Sequence, residues 1–221
     1  MKLKISSYNK LSIRKYREIM NILAEDISPI EKDIAIIALL QDISEDDVYH
    51  LSPIEINNLQ GQMEFLHHPT SKNKNYKSIV INGNKYKVTK DLNEINVAQY
   101  IDFQTIWNNN DYMQHLPEIL SIFIIPDGFE YNEGYDIQQL RNDIDEYLDI
   151  ETATNIAFFL QKQLVNSILD NLLYCRLTIW WQAMKAKDKK VKKQLKEMNK
   201  KYKELEKHLI AGYRSLTKSR L

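Results

Sequence analysis

The sequence predicts a mainly α protein: a multi-helix body carrying one small β-hairpin, followed by a very long, coiled-coil-like C-terminal helix. Three observations carry this expectation. Five glycines and five prolines punctuate 221 residues, too few for the turns of sandwiches, barrels or phosphate-binding loops. Apolar residues recur at spacings of three and four over most of the chain. Residues 152–211 hold neither glycine nor proline, which permits one helix of about 60 residues and roughly 90 Å at 1.5 Å per residue.

Along the chain, Ser12 is placed to cap a helix whose apolar side runs through Ile13, Tyr16, Met20 and Leu23. Ser28-Pro29-Ile30-Glu31 puts a hydroxyl at the N-cap, proline at the first helical position and a carboxylate where it reaches back to the cap, satisfying orphan amides reciprocally. The same tetrapeptide recurs at Ser52-Pro53-Ile54-Glu55, and Ser44-Glu45-Asp46-Asp47 opens a short helix between them. The polar stretch 67–75 reads as a linker. Ile79-Val80-Ile81, Asn82-Gly83-Asn84 and Tyr86-Lys87-Val88 then alternate with period two around an Asn-Gly dipeptide, which tolerates the positive φ angles of a tight hairpin. Two strands alone are marginal, so an exposed edge is a natural seat for a partner strand.

Asn96 with Gln99 caps a helix through Tyr100, Phe103, Ile106 and Trp107, ended by the Asn108-Asn109-Asn110 run. Pro117 near the start of the apolar segment 116–125 favours helix over strand there, and Asp136 opens a helix through Ile137, Leu140, Ile144 and Leu148. The long final stretch has two halves. Apolar residues on several faces between 156 and 181, among them Phe158, Phe159, Leu164, Ile168, Leu172 and Leu173, imply burial against the body. Beyond Leu177, Trp181 and Met184, a narrow seam of Val191, Leu195, Met198, Tyr202, Leu205 and Leu209 keeps heptad spacing, broken only at Asp188. Helix pairing is expected from such a seam, and a parallel pair brings Lys201 and Glu206 together across it. The segments are therefore an N-terminal helical unit (1–66), linker and hairpin (67–95), helical body (96–182) and basic helical tail (183–221).

The formal net charge of zero hides an asymmetry. Residues 1–182 hold 16 Lys+Arg and 26 Asp+Glu, a formal −10, whereas residues 183–221 hold 14 and 4, a formal +10. The body repels nucleic acid; the tail attracts phosphates or acidic protein surfaces, including another copy of this chain. Its basic surface is carried by Lys189, Lys190, Lys192, Lys193, Lys196 and Lys200. Lysine dominance there implies at most sequence-independent nucleic-acid binding, since base reading favours Arg, Asn and Gln. Cys175 is the single cysteine, which leaves no disulfide within the chain and points to a reducing compartment. No apolar run has the length of a membrane span.

No residue pattern nominates a catalytic, cofactor or metal site. The glycines are scattered singly, His50, His67, His68 and His115 lack ligand spacing, and the acidic clusters at 42–47 and 143–146 read as first-turn and solvated carboxylates. Cys175 has no neighbour that lowers a thiol pKa.

The run Ile34-Ala35-Ile36-Ile37-Ala38-Leu39-Leu40, then Asp42-Ile43-Ser44-Glu45-Asp46-Asp47-Val48, then Leu51-Ser52-Pro53-Ile54-Glu55 and Leu59, resembles tail assembly chaperones of tailed bacteriophages. Ile81-Asn82-Gly83-Asn84-Lys85-Tyr86-Lys87-Val88 and Val97-Ala98-Gln99-Tyr100-Ile101-Asp102 are similar to small phage tail and baseplate-hub assembly proteins. The resemblance covers roughly residues 25–150. It implies a non-enzymatic chaperone or scaffold in the bacterial host cytoplasm that binds the tape-measure protein or another tail component. A permanent baseplate, neck or tail component of the virion and a basic nucleic-acid-binding adaptor are the alternatives.

Overall fold

The computed structural model describes residues 4–67, 74, 76–89, 94–107, 113–185 and 188–218, with 107, 161–162, 164–165, 167–168 and 212–218 as backbone alone. The chain is mainly helical, with a small antiparallel sheet and a long C-terminal helix. It divides into two compact units, residues 1–159 and 160–221. The first unit thus gathers the N-terminal helices, the hairpin and most of the 96–182 segment, and the boundary falls inside a helix.

In the first unit, helices α1 (Ile13–Ala24), α2 (Pro29–Gln41), α3 (Glu45–Tyr49) and α4 (Pro53–Gln62) follow one another closely. Their starts lie where the caps predict. Ser28, Ser44 and Ser52 each accept from the backbone N–H three residues on, while Glu31, Asp47 and Glu55 accept from the cap backbone. The buried side of α1 differs from expectation: Ile13 and Ile19 are buried whereas Met20 and Leu23 are exposed, so the inward stripe is rotated by one residue.

Strands β1 (Ser78–Ile81) and β2 (Asn84–Val88) form the predicted hairpin, with Asn82 and Gly83 at φ 47° and 79°. The sheet gains a third member that the sequence reading missed. After α5 (Val97–Trp107) and α6 (Leu116–Phe123), the chain straightens into β3 (Ile124–Pro126), which pairs antiparallel with β2 in the register Tyr86↔Pro126 to Val88↔Ile124. The sheet order is β1-β2-β3, so β2's second edge is taken by the chain itself.

Helix α6 is the centre of the unit. Leu116, Ile119, Leu120, Ile122 and Phe123 are buried, as are Pro117 and Ser121. Phe123 meets Phe103 of α5 edge to face at 5.3 Å. Gln99 Nε2 donates to the Ile122 carbonyl at 2.8 Å and Thr89 N to the Phe123 carbonyl at 2.7 Å, so the last carbonyls of this buried helix are satisfied from neighbouring elements. Helix α7 (Ile137–Tyr147), capped by Asp136, packs on α6 and α1. Arg17 of α1 donates to Asp145 of α7 at 2.5 Å and to the Gln114 carbonyl at 3.1 Å. A two-bond bridge, Ile13 N to the Leu148 carbonyl and Ile150 N to the Leu11 carbonyl at 2.8 Å, ties the chain's beginning to the start of α8 (Ile150–Lys185).

The second unit holds the rest of α8 and α9 (Lys189–Lys218). The stretch permitted as one helix of about 60 residues is described as two, α8 ending at Lys185 and α9 beginning at Lys189. Asp188, the residue that interrupted the heptads, caps α9 by accepting from Lys190 N at 2.6 Å and Val191 N at 3.4 Å. The helices run back to back as an antiparallel hairpin. Arg176 pairs with Glu206, and Trp180, Ala183 and Met184 face Lys192, Leu195 and Asn199 across a small cavity. Glu206 therefore finds its cation within the chain, not across a parallel pair with Lys201. The Asn108–Asn110 stop, most of the 67–75 linker, and the side chains of Trp107, Leu164 and Ile168 lie outside the described residues.

Truncating Leu120, fully buried in α6, to alanine is expected to cost about 2–5 kcal/mol in urea unfolding. Ile54→Ala, at an exposed position of α4, is expected to stay within about 0.5 kcal/mol.

Candidate functional site

Two surfaces stand out, one in each unit. The first is a groove of about 560 Å³ between α1, α2 and α3, lined by Ile22, Ile27, Ala35, Ala38, Leu39, Ile43 and Tyr49, with Glu25, Glu31 and Glu45 among its walls. Local sequence builds it. The Ser28 capping box turns the chain sharply from α1 into α2, and Asp42, at φ 54°, reverses it again into α3. Lys15 of α1 donates to the Leu39 carbonyl at 3.4 Å and pairs with Asp42, pinning α1 across the end of α2. Apolar side chains make up most of its lining residues, but polar atoms form the larger part of its accessible surface; Ile27 and Tyr49 stay exposed, and all three glutamates face solvent.

The second surface is the outside of the hairpin. Leu172, Ile179 and Ala183 are buried and, with Arg176, form the side of α8 that meets α9. The seam residues of α8, Leu177, Trp181 and Met184, are exposed. So are Leu173, Tyr174 and Trp180, and exposure over the six runs from 47% at Leu173 to 71% at Tyr174. The expected burial of this stretch is therefore met on one side only. On α9 the six seam residues divide: Leu195, Tyr202 and Leu209 are half-buried, while Val191, Met198 and Leu205 are 41–50% exposed. Lys189, Lys190, Lys192, Lys193, Lys196 and Lys200 are all exposed, and Lys192 and Lys196 border the cavity beside Trp180. Lys185 lies over the Trp181 ring at 3.2 Å from its centroid, a cation–π contact. Asn199 Oδ1 is buried in the hairpin without a hydrogen-bond partner.

The sequence held a signal for the α8 face that the seam reading passed over. From 171 to 184 Arg176 is the only charged residue, and it is engaged by Glu206.

The titratable residues weighed for chemistry sit apart. Among the described residues no group of three or more His, Cys, Asp or Glu is placed to hold a metal. Cys175 is half-buried on α8, His50 follows α3 at its C-cap, and His115 Nδ1 lies 3.9 Å from Glu118. His68 lies outside the described residues. Asp145 is held by Arg14 and Arg17. Tyr131 donates to Asp102 at 2.8 Å, and its pKa is raised by burial first and this carboxylate second. Burial, with Tyr16 nearby, pushes Tyr8 up to about 12; its hydroxyl donates to the Leu66 carbonyl. These are structural arrangements rather than convergent acid–base sets.

Compared with protein-family models, curated proteins and solved structures, the chain matches none. No helix among the described residues is long and apolar enough to cross a membrane.

The capping carboxylates, of which Glu31 lines the groove, give the first unit a pH dependence. Glu31 and Asp47 are held below the usual carboxylate range chiefly by the hydroxyls of Ser28 and Ser44, and Glu55 chiefly by the Ser52 backbone. A depressed folded-state pKa contributes stability that is present above the unfolded value and lost as pH falls through the folded one. Thermal stability is therefore expected to decline as pH drops below about 4. In a Ser28→Ala/Ser44→Ala/Ser52→Ala variant that decline should be shallower and the neutral-pH midpoint lower, both read by circular-dichroism melts.

Proposed function

We propose that this chain is a non-enzymatic assembly protein, a chaperone or scaffold of the phage tail-assembly kind, whose first unit holds a helical segment of the tape-measure protein or another tail component. The groove between α1, α2 and α3 carries this reading. Its apolar side chains, Ile22, Ile27, Ala35, Leu39 and Ile43 among them, offer contacts to the apolar side of an amphipathic helix laid across them, the helix-in-groove mode of recognition. Its three glutamates select a segment flanked by basic residues and speed its encounter. The resemblance to tail assembly chaperones rests on residues 34–40, 42–48, 51–55 and Leu59, and Ala35, Ala38, Leu39, Ile43 and Glu45 among them line the groove. Host cytoplasm is the compartment in which such a protein meets its client.

A basic amphipathic helical peptide drawn from a tail component should bind the protein in fluorescence anisotropy, with affinity falling as salt rises. Ala35→Arg, which fills the groove, should weaken binding at least tenfold. Glu25→Lys/Glu45→Lys should weaken it and flatten the salt dependence. Equal binding to Ala35→Arg and to the wild type would remove the groove from the mechanism.

A second reading rests on the exposed lysines of α9. A nucleic-acid adaptor built on them would bind DNA or RNA without sequence preference, and its log affinity would fall linearly with log salt.

A further inference from the structure

We propose that the outer face of α8 is an interface between two copies of this chain, pairing antiparallel about a twofold axis near Leu177 so that two hairpins assemble into a four-helix arrangement. Over residues 171–184, α8 is apolar on nearly every side. One stripe, Leu172, Arg176, Ile179 and Ala183, is covered by α9. A second, Leu173, Leu177, Trp180 and Met184, repeats the same four-three-four spacing one residue later and stays about half exposed, even though Trp180 and Met184 also border the small cavity against α9. Tyr174 and Trp181 widen it. Two adjacent stripes with the period that pairs helices mean two helical neighbours, and the hairpin supplies one of them.

Area and charge identify the second neighbour. Half or more of three aromatic side chains, each worth about 150–250 Å² when covered, and of three aliphatic ones gives roughly 600 Å² per copy. A twofold pair then buries ~1,200 Å², the lower end of specific stable interfaces. Helix α9 carries 11 Lys+Arg against 3 Glu, so the α9 helices of two copies repel each other. The α8 stripe has no net charge to oppose its own image. Joining α8 to α8 is the arrangement that buries apolar on apolar and leaves both lysine-rich helices outside.

Direction and register follow from the two charged residues at the ends of this face. Asp170 and Lys185 are both exposed, and 15 residues at 100° each place them within about 60° of one another around α8. In an antiparallel pair centred near Leu177, Asp170 of each copy lies opposite Lys185 of the other, and the helix dipoles oppose favourably.

Sedimentation equilibrium of the full chain tests the interface. The wild type is expected to be a dimer at micromolar concentration. Leu177→Glu is expected to sediment as a monomer with unchanged helix content. Leu177→Cys in a Cys175→Ser background should form an intermolecular disulfide under mild oxidation, an assay that leaves the apolar face in place should the glutamate variant misfold. Asp170→Lys should weaken the dimer several-fold, and Asp170→Lys/Lys185→Asp should restore it. A wild type that stays monomeric at 100 µM overturns the proposal, whether or not Trp180 and Trp181 then bind vesicles of anionic lipid, and so does a dimer that survives Leu177→Glu and gives no Leu177→Cys cross-link.

Discussion

The first unit depends on the burial of one ten-residue apolar run, residues 116–125. Neither of the elements it forms is stable by itself. An eight-residue helix costs more to nucleate than its few hydrogen bonds return, and a three-residue strand is shorter than an independent sheet requires. Both exist because apolar neighbours enclose them on every side: α5 and α7 against the helix, and β2 alongside the strand. Enclosure creates an obligation, since each buried backbone group must find a partner. Gln99 and Thr89 meet it for the carbonyls of Ile122 and Phe123, and Ser121 bonds the Glu118 carbonyl while accepting from Arg141. The small sheet, the α5 cap and α7 are all anchored through this run.

Much of the frame was legible in the sequence because its signals are local. A serine three residues before an acid, or an asparagine before a glycine, acts within one turn, so no distant residue can cancel it. The three capping boxes, the Asn96–Gln99 cap and the hairpin turn appear where the residues placed them. What was not legible is decided by partners far along the chain. Ile124–Pro126 is a strand only because β2 has a free edge beside it. The α1 stripe is rotated because α2 and α7 lie on two sides of that helix, which no period count on α1 alone contains. The groove belongs to the same class: its walls come from three helices, and its existence follows from how tightly two caps turn the chain.

The hairpin of the second unit shows why heptad spacing underdetermines a partner. Residues 152–211 satisfy the pattern of one continuous helix, yet Asp188 competes for the backbone as a cap. A helix doubled on itself replaces an exposed seam with an internal one. Two polar features in that seam, the Arg176–Glu206 pair and Asn199, fix which residues face each other at some cost in stability, the role buried polar groups best support in paired helices. Antiparallel folding uses the half-buried residues of α9 and leaves Val191, Met198 and Leu205 at the margin.

Charge bears on which surfaces can meet. The first unit carries 14 basic and 25 acidic residues, a formal −11, and the second 16 and 5, a formal +11. A surface of one sign opposes contact with its own copy wherever that surface is presented. The outer face of α8, with Arg176 internally neutralised, is the part of the hairpin to which this opposition does not apply. The groove is different in kind: three exposed glutamates border it, so its field favours a cationic neighbour over an anionic one. An uncharged apolar stripe and an acid-rimmed groove are thus suited to different neighbours. Apolar exposure at both is kept specific by the charge that surrounds it.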